Sequence, residues 1–352
     1  LVGSEMCIRD RQMDSICKME GISMSNLLFE SIMAQHFTEF IKLKRNLGYK
    51  YSTAEYLIRE FDTFLVRKKI TYPILTKEIF DEWMTRRKHE SGSTYKGRCT
   101  VVMQFVQYMS DIGKPCYIPR MPNIKVNGFT AHIFTEEEID RFFTACDNLI
   151  LHSLKMNSAI IMLPAIFRLL YGTGIRVTEA IRLKNCDVNL EEKYIVLHDT
   201  KSRKDRLVPI SDSVATVCRE YKSYRERLPI IADKEYFFLA LSGKPCASDG
   251  TIYFWFRTIL KNAGIPHNGR HQGPRVHDLR HTFSVHSLMK MHHEGGDLYC
   301  SLPILSTYLG HSSIQSTNNY VRLCESMYPD LIQRIDIESM NVYPNLYKDE
   351  TD

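Results

Sequence analysis

Apolar residues recur at helical spacing through the first third of the chain. Leu28, Phe29, Ile32, Met33, Phe37, Phe40 and Ile41 form one stripe that stops at Gly48, and Tyr56, Leu57, Phe61, Phe64 and Leu65 form a second. Further helices are predicted around Ile79 to Arg87 and Tyr95 to Met109, so residues 24–113 read as one four-helix unit with its stripes turned to a common core. The pattern then breaks. Pro115, Pro119 and Pro122 lie among Lys114, Arg120 and Lys125, which excludes regular helix and predicts an extended basic linker over 114–130. A second unit, 131–325, opens with Thr135 and Glu138 spaced as a capping box, and Phe134 can staple to Ile139. Helices there alternate with a hairpin, Tyr194 to Leu197 against Leu207 to Ile210, and with a strand near Tyr236 to Leu239. Met291 to Pro303, rich in His and Gly, reads as a loop. In the tail, 326–352, Tyr328, Leu331, Ile332 and Ile335 share one helix face.

Residues 1–23 carry no such pattern and are expected to be a disordered or non-native extension, with Met13 or Met24 as the start. So few residues before the first helix predict no further N-terminal domain.

Composition changes this picture little. An apolar content of 44% over 352 residues suffices for two cores. Ten cysteines without a Cys-x-x-Cys pair argue against zinc ribbons and for reduced thiols in a cytoplasm. The longest apolar run, Ala159 to Phe167, contains Pro164 and is too short to cross a bilayer. A net charge of +5 suits a polyanion without requiring one. Local clusters say more: Lys42, Lys44 and Arg45; Arg86, Arg87 and Lys88; Lys114, Arg120 and Lys125; and Arg203 with Lys204 are the candidate contacts to a phosphate backbone.

The candidate chemistry lies in the second unit, in four pieces. Tyr171-Gly172-Thr173-Gly174-Ile175-Arg176 has glycines that end one helix and an arginine that starts the next, with Glu179 and Leu183 following. Lys201 stands in the turn of the hairpin, ahead of Arg206-Leu207-Val208-Pro209; Lys204 competes with it. His277-Asp278-Leu279-Arg280-His281 puts a histidine and an arginine three apart on one helix face. Leu309-Gly310-His311-Ser312-Ser313 ends one helix and caps the next, and Tyr320 follows nine positions after His311. Two guanidiniums and two imidazoles suit the non-bridging oxygens of a phosphodiester. A lysine ammonium can protonate a leaving oxygen, and a phenol can attack phosphorus. Singly these could be an ordinary helix-start arginine, a solvated polar face, a turn lysine and a core tyrosine. The four pieces in this order and context make that coincidence improbable. A metal reading of His277, His281, His292 and His293 lacks the Glu of a zinc-protease helix and places Arg280 where it would repel a cation.

With these motifs the chain resembles the tyrosine recombinases of the phage and conjugative-element integrase family over nearly its whole length. The resemblance implies a mainly α fold with a small antiparallel sheet in the catalytic domain, preceded by a helical SAM-like core-binding domain. It implies Arg176, Lys201, His277, Arg280 and His311 as catalytic residues and Tyr320 as the nucleophile of a 3′-phosphotyrosyl intermediate, with no metal or other cofactor. Double-stranded DNA at recombination core sites is the implied partner, with a homotetramer on DNA, accessory excision or host proteins, and a C-terminal helix that docks on a neighbouring protomer or on its own domain. A type IB topoisomerase and a non-catalytic DNA-binding relative are the alternatives.

Overall fold

The computed structural model describes residues 29–124, 131–151, 158–198, 205–228, 233–246, 248–269, 273–311, 317 and 320. The chain divides into two compact units, Leu1–Phe129 and Thr130–Asp352.

The first unit holds four helices: α1 (Ala34–Asn46), α2 (Ser52–Arg67), α3 (Lys77–Trp83) and α4 (Gly92–Asp111). Their stripes meet as periodicity requires, with Phe37, Phe40, Phe61, Phe80 and Phe105 fully buried and the Phe37 and Phe105 ring centroids 4.5 Å apart. The Asp62 carboxylate on α2 accepts from the Glu30 and Ser31 amides at 2.8 and 3.0 Å, fixing the approach to α1. Ser91 caps α4 by accepting from the Thr94 amide. Helix α3 ends at Trp83, earlier than Arg87, because the chain turns there: Arg86 donates to the Glu90 carbonyl. The stretch read as a linker begins on this unit, where Cys116 pairs with Leu75 in a parallel bridge.

The second unit contains α5 (Glu136–Asp147), α6 (Leu163–Thr173), α7 (Val177–Ile181), β1 (Val188–Asn189), β2 (Tyr194–Leu197), β3 (Arg206–Pro209), α8 (Asp212–Glu226), α9 (Asp249–Asn262), α10 (Val276–His293) and α11 (Leu298–Leu309). Thr135 and Glu138 make the capping box of α5, and Phe134 and Ile139 on either side of it join one core. Helix α6 is apolar on nearly all sides because α5, α8 and α10 pack around it. The hairpin pairs Ile195 with Val208 and Leu197 with Arg206, and β1 adds an unforeseen third antiparallel strand beside β2.

Two expectations fail. Tyr236 to Leu239 is not a strand but two isolated bridges, Lys184 to Tyr236 and Leu239 to Pro245. Side chains of α8 take its backbone groups instead: Arg225 donates to the Phe237 carbonyl and the Leu239 amide donates to the Tyr221 hydroxyl. Met291 to Pro303 is not an extended loop either. Helix α10 runs to His293, and α11 starts at Leu298 with Pro303 inside it. Burial of Leu302, Leu305 and Leu309 on one face of α11 outweighs the hydrogen bond that Pro303 cannot donate.

Candidate active site

The site is built where three helix ends converge. Helix α6 stops at Gly174, whose φ of +61° is a left-handed conformation that costs a side-chain-bearing residue energy. A Cβ there would also stand 2.4 Å from the Phe283 ring. The Gly174 carbonyl is thereby turned toward α10, where Arg280 donates to it at 2.6 Å through Nη1 and to the Leu309 carbonyl at 2.9 Å through Nη2. One guanidinium thus ties the ends of α6 and α11 to the second turn of α10. Arg280 is 2% exposed. Burial, followed by the nearby Arg176 charge, lowers its pKa to about 10.

The same Nη2 lies 3.0 Å from Nε2 of His311. Arginine can only donate, so Nε2 accepts and the proton of His311 sits on Nδ1. From there it donates to the Thr317 hydroxyl at 2.8 Å. Burial and then Arg280 push the His311 pKa down to about 3, leaving the ring neutral.

Arg176 is the residue at which the chain enters α7. Its Nη1 donates to Oε1 of Glu179 at 2.7 Å and its amide to Oε2 at 2.8 Å. Glu179 is shared: Arg206 at the start of β3 donates through Nη2 to Oε2 at 2.9 Å and through Nη1 to Oε1 at 3.4 Å. Burial alone would raise the Glu179 pKa, but the two guanidiniums reverse that and hold it below the usual carboxylate range.

His277 and His281 stand one turn apart on α10 with ring centroids 4.9 Å apart. Burial, then neighbouring positive charge, keeps both neutral, His277 well below its ordinary value and His281 at about 3. The Tyr320 ring lies 5.6 Å from that of His281 and 6.0 Å from that of His311. It is 3% exposed, in a cluster with Ile133, Leu288, Leu305 and Leu309.

The structure therefore brings Arg176, His277, Arg280, His311 and Tyr320 into one neighbourhood. Lys201, Arg203, Lys204 and Lys125 lie outside the described residues. In the first unit Lys42 and Lys88 are exposed, as are Lys114 and Arg120 in the segment after α4. Other basic candidates there are engaged: Arg45 with Glu55, Arg87 with Glu60 at 3.0 Å and over the Trp83 ring, Arg86 with the Glu90 carbonyl, and Lys44 over the Phe40 ring. His292 and His293 end the helix that His277 begins, roughly 22 Å away at 1.5 Å per residue. Among the described residues no group of three or more His, Cys, Asp or Glu could hold a metal ion. Sequence reasoning quoted Glu179 and Arg206 as motif neighbours but missed their ion pair, 27 positions apart, and it missed Thr317.

Two arginines, neutral histidines and a tyrosine on this helical fold define a tyrosine recombinase. The phage integrase family matches residues 132–327, more than half of the chain, and the chain belongs to that family. A putative integrase/recombinase, y4rB of Sinorhizobium fredii, is 27% identical over 309 residues, covering 87% of this chain and 98% of the relative. Tyrosine recombinase XerC of Staphylococcus carnosus is 27% identical over 317 residues, covering 89% and 87%. Among solved structures, the Tn1549 transposon integrase in complex with transposon right end DNA superposes with a TM-score of 0.58 at 16% identity, covering 84% of this chain and 99% of that one. XerH bound to its palindromic difH substrate gives 0.57 at 19% identity, covering 84% of each. Within the described residues no helix is long and apolar enough to cross a membrane.

Proposed function

We propose that the chain cuts and rejoins DNA at specific sites to integrate or excise a mobile element, working on DNA in the cytoplasm. The observation that carries this reading is Arg280, a buried guanidinium held by carbonyls and a neutral imidazole, with Arg176 and Tyr320 close by. Such a group has charge to give to an anion.

In this mechanism the Tyr320 hydroxyl oxygen attacks the scissile phosphorus, forming a 3′-phosphotyrosyl bond as the bond to the 5′-oxygen breaks. Arg176 and Arg280 hold the non-bridging oxygens, and His311 joins them by turning its Nδ1–H away from the Thr317 hydroxyl. Lys201 protonates the departing 5′-oxygen, and neutral His277 takes the phenolic proton. The 5′-hydroxyl of a partner strand then reverses the step. The phosphodiester energy is kept in the covalent bond, so this scheme consumes no nucleotide. Tyr320 must leave its apolar packing to reach DNA. Residues 24–113 grip one side of the duplex through Lys42, Lys88 and their neighbours while residues 131–325 close the other. Four protomers assemble on paired core sites, and the tail, 326–352, couples neighbours. Relatives solved on DNA support the choice of partner.

The test is a denaturing gel for protein attached to nicked duplexes cut from the ends of the element that encodes the chain, in excess chelator, beside Tyr320→Phe. An adduct with the parent and none with the variant is expected. Binding by both without an adduct would leave a DNA-binding relative; plasmid relaxation without recombinants would mean a topoisomerase.

A further inference from the structure

Two guanidiniums share one carboxylate at the edge of the site. Glu179 accepts from Arg176 at 2.7 Å and from Arg206 at 2.9 Å, and the three side chains are 22%, 11% and 10% exposed for Arg176, Arg206 and Glu179. Arg206 also lies against the turn that presents His311, since a Cβ added to Gly310 would stand 2.8 Å from its Nη1. It therefore touches two elements of the phosphate clamp, though it is no part of the six-residue motif.

We infer that Arg206 is a positioning residue that occupies the Glu179 carboxylate so that the Arg176 charge remains available to the scissile phosphate. Glu179 is needed where it is: its second oxygen accepts the Arg176 amide and so shapes the start of α7. A single buried carboxylate facing a single arginine would cancel it. Arg176, Arg280 and Arg206 against Glu179 leave two net positive charges for a phosphate that gains negative charge as the tyrosine attacks. Without Arg206 one remains, and Glu179 competes with the DNA for Arg176. The influence of Arg206 reaches beyond Glu179, for its charge also bears on His311 and Arg280.

The inference rests on Arg176 being a phosphate ligand, and its test separates the two. Adduct formation is timed at saturating protein on two nicked duplexes from the element's ends. One is the natural phosphodiester, and the other has methylphosphonate at the scissile position, where a methyl group replaces one non-bridging oxygen and removes the charge that must be neutralised. No adduct with the parent would sink the reading of the site and this inference with it. With an active parent, Arg206→Gln should be slowed roughly tenfold to a hundredfold on phosphate and fall within about threefold of the parent on methylphosphonate. The ratio of the two rates belongs to one sample, so partial loss of folded protein cancels. Arg206→Lys keeps the charge and should keep the parent's ratio. A glutamine variant slowed equally on both substrates, or a lysine variant as slow as glutamine on phosphate, would mean that Arg206 only holds β3 in place.

Discussion

Among the described residues Arg98 is the most deeply buried arginine of the first unit and Arg280 of the second, and the two are held in opposite ways. Arg98 in the first unit is 1% exposed and carries its counterion with it: Nε and Nη2 meet the two oxygens of Glu90 at 2.9 Å each, and carbonyls of Trp83 and Thr85 take remaining donors. The Trp83 and Tyr95 rings flank it. Burial would lower its pKa, but Glu90 more than reverses that. Arg280 in the second unit is 2% exposed and, among the described residues, its hydrogen bonds go to the Gly174 and Leu309 carbonyls and the His311 ring. Its pKa falls instead. Arg98 is neutralised where it stands, whereas Arg280 is positioned by neutral dipoles and keeps its charge uncompensated.

The sharpest way to break that contrast is to remove each guanidinium. Arg280→Met should slow covalent adduct formation by about a thousandfold or more. Its stability cost should be under about 1 kcal/mol, because an arginine driven from 12.5 to about 10 opposes folding and its loss offsets the orphaned carbonyls. Arg98→Met leaves the Glu90 carboxylate buried without its guanidinium partner, so the first unit should lose about 3 to 5 kcal/mol. Urea melts of both variants beside adduct assays decide the matter. A second unit destabilised as badly by Arg280→Met would make Arg280 a structural residue like Arg98.

A middle-sized effect comes from pH. In the second unit His277, His281, His286 and His311 all have lowered pKa values, His281 and His311 at about 3, from an ordinary 6.5. The unfolded chain therefore takes up protons below 6.5 that the folded unit refuses, and stability falls with pH. Asp278 works the other way, because burial raises its pKa to about 6 and the folded unit gains a proton there. At least two protons still favour unfolding, so the second unit should lose on the order of 2 to 3 kcal/mol between pH 6.5 and 5. The first unit's buried Glu90 is held below its ordinary 4.5, so the stability it adds is lost only at more acid pH. The chain has two tryptophans, Trp83 and Trp255, one in each unit. Single-tryptophan variants can follow each unit separately. Equal acid sensitivity of the two between pH 6.5 and 5 would count against the neutral histidines.

These differences also separate what the amino-acid pattern reveals from what it hides. The apolar stripes that carry Phe37 and Phe105, the Thr135 and Glu138 box and the hairpin rest on neighbours close in sequence, and all could be read in advance. Arg176, His277, Arg280, His311 and Tyr320 were readable by type and order. The ties that hold them were not: Arg280 reaches carbonyls 106 and 29 positions away, and Arg206 reaches Glu179 across 27. Tyr236 to Leu239 misled because its strand-like composition is satisfied by Arg225 and Tyr221 side chains. Met291 to Pro303 misled because its His and Gly content suggested a loop, whereas burial of Leu302, Leu305 and Leu309 on one face carries α11 through Pro303.

The smallest effect concerns the surface cations, where engaged and exposed residues can be compared within one cluster. Arg87 is bonded to Glu60 and lies over Trp83, whereas Lys88 beside it is exposed. If this face meets DNA, the residue with charge to spare should matter more for binding. Lys88→Gln should weaken duplex affinity severalfold and reduce the slope of log affinity against log salt by about 0.9, the value for one lost phosphate contact. Arg87→Gln should change that slope less and should instead cost the first unit about 0.5 to 1 kcal/mol through the lost ion pair and ring contact. Affinity measured by anisotropy at several salt concentrations, with melting of the same samples, separates the two. An unchanged slope in Lys88→Gln would remove this cluster from the DNA-facing surface while leaving the Arg280 argument intact.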